Sequence, residues 1–431
     1  MSSFRDDLDR AAGWVDAYLS RVPELPVEAR VEPGEVRARL PRTAPEHGEP
    51  FEAVLRDLDE LLLPGVTHWN HPRFFAWFAN TGSEPGILAE LLVAALNVNA
   101  MTWQSSPAAT ELELVATAWL ADLLGLPEGW HGHIEDTAST ATVASLAAAR
   151  ELRPGGVVYA SAEANFSIEK AARLVGLEYR RVPVDDSFRM SVDFPLDDAT
   201  AVVATVGTTA TTSVDPVPEL AARCEEAGVW LHVDAAYAGA AAVCPELRWC
   251  LAGCERADSL VVNPHKWLFT PMDCSVLWTR RPDAFHRAFA LVPEYLAATE
   301  DAVDLKDYGP ALGRRFRALK LWTVLRWYGA EGLRALIREH VRLAQLLASW
   351  VDADPDWELT APHPFSTVCF RHRERDSHEL ARAASATGEV FLAATTLRGR
   401  DTLRLAIGNA RTSEADVARA WEVLRSCASK R

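Results

Sequence analysis

The stretch TAVVATVGTTATTSVDPVPELAARCEEAGVWLHVDAAY, Thr200–Tyr237, decides the fold. It opens on a β-branched apolar run and closes on another, GVWLHV. Between them PVPELAARCEEAG carries apolar residues at helical spacing and exits on Gly228. Strands that are apolar without alternation are covered on both faces, which is the condition of a parallel sheet between helix layers. Working outward, GGVVYAS (155–161) and DSLVVNP (258–264) read as further strands, and TATVASLAAARELRPGG (140–156) and FSIEKAARLVGL (166–177) as further helices. An α/β architecture with a mainly parallel sheet is therefore expected over residues 81–311. Residues 1–80 read as helices joined by Pro-rich connections such as RVPELPVEARVEPGEV. Residues 312–431 hold long helices (GRRFRALKLWTVLRWYG, GLRALIREHVRLAQLLASWV), the strands STVCFRH and TLRLAIG, and a final helix, a smaller α+β domain.

Composition narrows the function. The 431 residues carry a formal net charge of −16, which argues against nucleic acid or an anionic membrane surface as partner. No run approaches the ~18 apolar residues of a membrane-spanning helix. The start, MSSFRDDLDRAAGW, lacks the apolar segment of a secretory signal, and seven cysteines, an odd number, suggest free thiols. A cytoplasmic location is expected. Cys250 and Cys254 have no second pair at zinc-ligand spacing, and His131 and His133 in WHGHIED read as loop residues, so no metal site is expected.

In an open α/β sheet, ligands bind beyond the carboxyl ends of the strands. Thr208-Thr209 follow AVVATVG, Asp234 ends GVWLHV, and His265-Lys266 follow SLVVNP, so all should face one rim. Ala138-Ser139-Thr140 open a helix, whose free N–H groups and dipole suit a phosphate. A desolvated lysine forms a Schiff base with an aldehyde, and a buried aspartate needs a cation. Pyridoxal 5′-phosphate (PLP) meets all three demands: an aldehyde for Lys266, a protonated ring nitrogen for Asp234 and a phosphate for the helix start.

THWNHPRFFAWF, SPAATELE, VGTTATTSVDP, LHVDAAYAG, NPHKWL, LGRRFRALKLW and LRLAIGNARTSEADV together make the chain resemble the PLP-dependent group II decarboxylases, and within them the aromatic-L-amino-acid decarboxylases. The resemblance runs from about residue 50 to the C-terminus. It implies a fold-type I enzyme with a seven-stranded-type sheet, working as a homodimer, with residues 1–80 as an arm around the partner subunit. By resemblance Lys266 carries the cofactor, Asp234 holds its ring nitrogen, Ala138, Ser139 and His265 lie near its phosphate, and Thr209 and Ala236 near its ring. Trp69, Trp77, Phe78 and Met101 would line the substrate pocket. That lining suits an aromatic side chain better than a charged one, which would need its own counter-ion; a non-aromatic substrate is the weaker alternative. The implied reaction is loss of CO2 from an aromatic L-amino acid, with Tyr308, in the polar stretch PEYLAATEDAVDLKDYGPALG, delivering a proton to Cα from a mobile loop.

One departure stands out. The family places a histidine over the cofactor ring; EANFSIEKAARL puts Asn165 there. An amide does not titrate near neutral pH, so a proton carrier is lost. The expected alternative outcome is oxidative decarboxylation-deamination, giving an aromatic acetaldehyde, CO2, ammonia and hydrogen peroxide. Aromatic acetaldehyde synthases of the same family often carry asparagine at this position. Transamination on the same fold would instead give a keto acid without CO2.

Overall fold

A computed structural model of the chain describes residues 3–291 and 302–429. Its centre is a seven-stranded sheet of β1 (His131–Glu135), β2 (Val157–Ser161), β3 (Glu178–Val182), β4 (Ala199–Thr205), β5 (Trp230–Asp234), β6 (Ser259–Val262) and β7 (Ser275–Thr279). The spatial order is β1-β7-β6-β5-β4-β2-β3. From β6 to β3 every pair is parallel; β7 alone runs antiparallel, to both β6 and β1. The mainly parallel α/β architecture read from Thr200–Tyr237 is the one that forms.

Every residue of β2, β4, β5 and β6 is buried, as double coverage requires. Alternation then assigns the faces. Ala201 and Val203 of β4 pack with Ala144 and Ala148 of the helix Ala138–Leu152 and with Phe285. Val202 and Ala204 pack on the other face with Leu220 and Ala221 of the helix Val217–Ala227. Each fully buried valine contributes about 1.5–3 kcal/mol, so a one-residue slip would cost the whole strand its registration. The helix Val217–Ala227 ends at Gly228 in the left-handed conformation (φ +63°), the exit that its sequence signals.

WHGHIED departs from expectation. His131 and His133 belong to β1, not to a loop; the strand's polar members His133 and Glu135 are buried and stand 3.4 Å apart, Nε2 to Oε1.

The C-terminal part holds a second, antiparallel sheet ordered β10-β11-β9-β8, from β8 (Trp357–Leu359), β9 (Thr367–His372), β10 (Ala393–Leu397) and β11 (Arg400–Ala406). The helix Arg317–Ala353 precedes it and is broken at Gly329 (φ +60°, ψ 177°), the join between the two expected helices. Backbone bonds from Phe75 N to Phe391 O (2.7 Å) and from Val27 N to Gly388 O (2.9 Å) tie the N-terminal segment to the chain that leads into β10. No helix among the described residues is long and apolar enough to cross a membrane. All seven cysteines are buried, and no disulfide forms among the described residues.

Candidate active site

The carboxyl ends of β4, β5 and β6 converge as the strand-end rule requires. After β6 the chain makes one helical turn, Pro264–Trp267, which points Lys266 inward. Two contacts hold that turn: Trp267 Nε1 donates to His340 Nδ1 at 2.9 Å, and the Trp267 ring stacks on Tyr237 at 4.9 Å. Tyr237 in turn stacks on Phe78 at 3.7 Å. The Lys266 ammonium lies 5.5 Å from the Phe78 centroid.

Burial lowers the Lys266 pKa, opposed by the charge of Asp234 and reinforced by that of Arg404. Burial likewise raises the pKa of Asp234, opposed by Lys266 and by the Ala236 N–H, which donates to Asp234 Oδ1 at 3.1 Å. The two charges feel one another but form no ion pair within 4.0 Å among the described residues. A buried carboxylate with one backbone donor and no contacting cation is costly, and it fits a protonated heterocycle nitrogen that supplies the missing charge. A partly buried amine of lowered proton affinity fits an aldehyde. His265 Nδ1 accepts from Cys274 N at 3.1 Å, and burial, aided by Lys266, brings its pKa to about 3. The ring is therefore neutral with its proton on Nε2, a donor suited to a phosphate oxygen. Ala138 is buried and Ser139 exposed in the first turn of the helix Ala138–Leu152, where N–H groups have no intrahelical acceptor. The residues present fit PLP at each of its three ends.

Asn165 caps the helix Phe166–Leu174 through its Oδ1, which accepts from Ser167 N at 3.0 Å; its Nδ2 donates to Thr209 Oγ1 at 3.1 Å. Both ends of the amide are engaged, and Asn165 and Thr209 together form one wall of a cavity of about 380 Å³. Trp77 and Phe166 supply its aromatic wall, and Ala236 is buried beside Asp234. Trp77 holds a positive φ of 47°, a conformation that bulky residues rarely adopt, and Trp69 stacks on its ring at 5.4 Å. Met101 is placed differently: its carbonyl accepts from Lys306 N at 3.0 Å and its sulfur faces Asn99, beside the turn Leu305–Tyr308.

Tyr308 is not brought to this cavity. All four residues of its turn are buried, and its ring stacks on His131 at 4.1 Å and meets His286 edge-on at 4.8 Å. Burial pushes its hydroxyl pKa up to about 12. Residues 293–301 of the polar stretch expected to carry it lie outside the described residues. In this structure the tyrosine ring packs against three histidines outside its own segment, two on β1 plus His286. The Tyr308→Phe enzyme should therefore keep kcat within about threefold of wild type while its aromatic stack survives. Steady-state turnover checks this; a loss beyond a hundredfold would restore the hydroxyl to the chemistry.

Arg404, on β11, is the site residue that motif reading missed. It is buried, its guanidinium stands 4.3 Å over the Phe78 ring, its Nε donates to Ala210 O at 3.1 Å and its Nη1 donates to Trp77 O. Nη2 has no partner although it is buried. An arginine inside the apolar run TLRLAIG was the available signal, since arginine is almost never fully buried without a partner.

A strand-end lysine and aspartate in a fold-type I sheet, with a helix start ready for phosphate, define a PLP enzyme. The chain belongs to the pyridoxal-dependent decarboxylase family, whose conserved domain matches residues 33–373. It is 38% identical to an aromatic-L-amino-acid decarboxylase of Catharanthus roseus, over 98% of this chain and 93% of that one. It is also 38% identical to a phenylacetaldehyde synthase of a Rosa hybrid cultivar, again over 98% and 93%. The crystal structure of Oryza sativa TDC with PLP and tryptamine superposes with a TM-score of 0.95 at 34% identity, covering 99% of this chain and 97% of that one. The protein is a carbon-carbon lyase and its cofactor is PLP.

Proposed function

We propose that the protein decarboxylates an aromatic L-amino acid of the Trp/Tyr/DOPA/Phe class to the arylalkylamine and CO2. The observation that carries this is the cavity itself: aromatic walls from Trp77 and Phe166, and one buried cation, Arg404, with an unpartnered N–H. That combination takes a carboxylate at one end and a flat apolar group along its length. Arg404 and Lys266 reach the same Phe78 ring, so a carboxylate on the one lies near the amine of the other. The two named relatives, an aromatic-amino-acid decarboxylase and a phenylacetaldehyde synthase, support the substrate class.

PLP, when bound, supplies the electron sink for the pair released as the Cα–carboxylate bond breaks. The chain supplies the rest. Lys266 is a nucleophile because burial lowers its proton affinity, and the same property lets it give a proton back. Asp234 keeps a positive charge at its end of the site. Arg404 orients the carboxylate, and the Trp77 and Phe166 rings flank the substrate's side chain.

Arg404→Met should raise KM for the amino acid and lower kcat/KM by about a hundredfold, since loss of a buried charge partner costs about 2–5 kcal/mol. Inhibition by the arylalkylamine, which has no carboxylate, should change little. Equal weakening of amine and amino acid in steady-state assays would contradict the assignment.

Asn165 favours a second reading of the product. With both ends of its amide engaged, it carries no proton to Cα. Without prompt protonation, O2 and water can complete the reaction: amino acid, O2 and water give the aromatic acetaldehyde, CO2, ammonia and hydrogen peroxide. Quantifying amine, aldehyde and peroxide in air tests this. Amine equal to CO2 with no peroxide supports the first reading; aldehyde and peroxide equal to CO2 support the second.

The homodimer belongs to the same proposal. Leu88, Leu91, Leu92 and Leu96 of the helix Glu84–Leu96 and Trp119 of the helix Pro107–Leu124 are exposed, an apolar set that a second copy would cover. Sedimentation equilibrium reads the outcome; a monomer at micromolar concentration would contradict it.

A further inference from the structure

The cavity that receives the substrate has a second charged group, and nothing in the reaction described so far uses it. Glu163 follows β2 and lines the cavity together with Trp77, Asn165, Thr209 and Arg404. Its backbone N–H is fastened to Ser161 Oγ at 3.0 Å, which fixes the residue at the end of the strand. Its carboxylate has no hydrogen bond and no ion pair among the described residues. The cation that acts on it, Arg398, is already paired with Asp186 at 3.1 Å. The side chain is partly buried, and burial raises its pKa, with Arg398 opposing. Three other polar side chains of the wall are engaged: Asn165 and Thr209 bond each other, and Arg404 spends two of its donor nitrogens on backbone carbonyls. The cavity is therefore bipolar. Arg404 offers a donor for an anion, and Glu163 offers an acceptor for a donor, with the Trp77 and Phe166 rings between walls of alanine.

We propose that Glu163 is a specificity-determining residue: its carboxylate accepts a hydrogen bond from a donor on the substrate's ring, a phenol O–H or an indole N–H, and repels acidic side chains. This rests on the aromatic substrate class proposed above and refines it. A partly desolvated acceptor without a partner gains most from a substrate that brings a donor, and a hydrogen bond to a charged group discriminates more than apolar contact does. Like charge at short range rejects a carboxylate side chain in the same place. The structure thus assigns ring donors, not ring size alone, as what the enzyme reads.

L-tyrosine and L-phenylalanine differ by one hydroxyl and make the test. With the PLP-loaded full chain, wild type should favour L-tyrosine in kcat/KM by about tenfold or more. Glu163→Leu should lower the L-tyrosine value by about that factor and leave L-phenylalanine within about twofold. Glu163→Gln keeps an acceptor without the charge, should show an intermediate loss, and decides the matter alone if the leucine variant does not fold. A tyrosine-to-phenylalanine ratio that is the same in wild type and variants overturns the proposal. A wild type that uses both amino acids equally overturns it while leaving the aromatic substrate class standing; a wild type that uses neither overturns both.

Discussion

Lys266→Ala is expected to remove turnover, by on the order of 10³-fold or more, and with it the covalent attachment of the cofactor. The reason lies in the geometry of one turn. Pro264–Trp267 is fastened by Trp267 to His340 and to Tyr237, so Lys266 is delivered to a partly buried position where its ammonium is disfavoured. Two other lysines are engaged elsewhere: Lys306 pairs with Asp307 at 2.6 Å, and Lys320 with Glu90 at 2.5 Å. Borohydride reduction of the PLP-loaded protein, followed by denaturation and mass measurement, should leave the cofactor on wild type and not on the variant. The fold should survive, because a neutral alanine replaces a charge whose burial is unfavourable without the cofactor. A variant that keeps full turnover would end the account.

Asp234→Asn is the second large effect, and it acts on rate and on stability in opposite directions. The amide keeps the shape but not the charge that holds a proton on the cofactor's ring nitrogen. A fall in kcat on the order of 10²–10³-fold is expected, comparable to removal of one strong electrostatic stabiliser. Without PLP, burial raises the pKa of Asp234 in the folded protein above its unfolded value. A carboxyl shifted that way stabilises the fold relative to the ionised state below the ordinary carboxylate range. That advantage is lost as pH rises through the folded pKa. Cofactor-free wild type should therefore lose stability, relative to Asp234→Asn, as pH is raised from the acid range toward neutrality, and PLP should restore it in wild type only. Thermal unfolding across pH, with and without cofactor, reads the difference. A variant whose stability follows wild type at every pH would show that the carboxylate is already satisfied by something else.

What the sequence made legible divides along physical lines. The strands β2, β4, β5 and β6 are apolar throughout because both faces are covered, and such runs are recognisable without any partner in view. The residues that follow them, Thr209, Asp234 and Lys266, were placed at one rim by topology alone. β1 and β3 are edge strands with polar members, HGHIE and EYRRV, so nothing in their local pattern separates them from loops. Tyr308 shows the same limit from the other side. Its neighbours are polar and aperiodic, yet His131, His133 and His286 surround its ring, and a contact across more than 170 residues leaves no local trace. Arg404 and Glu163 carry the substrate end of the proposed site. One is a lone charge in an apolar strand and the other a carboxylate after one; their meaning appears only when β11 is folded over the ends of β2 and β4.

The most direct measurement is CO2 release from carboxyl-labelled L-tyrosine and L-tryptophan by the PLP-loaded protein, with L-glutamate as the control. One CO2 should be released for each aromatic amino acid consumed, in dependence on PLP, with no measurable release from L-glutamate. Consumption without CO2, or release from L-glutamate in preference to the aromatic substrates, would contradict the proposed decarboxylation.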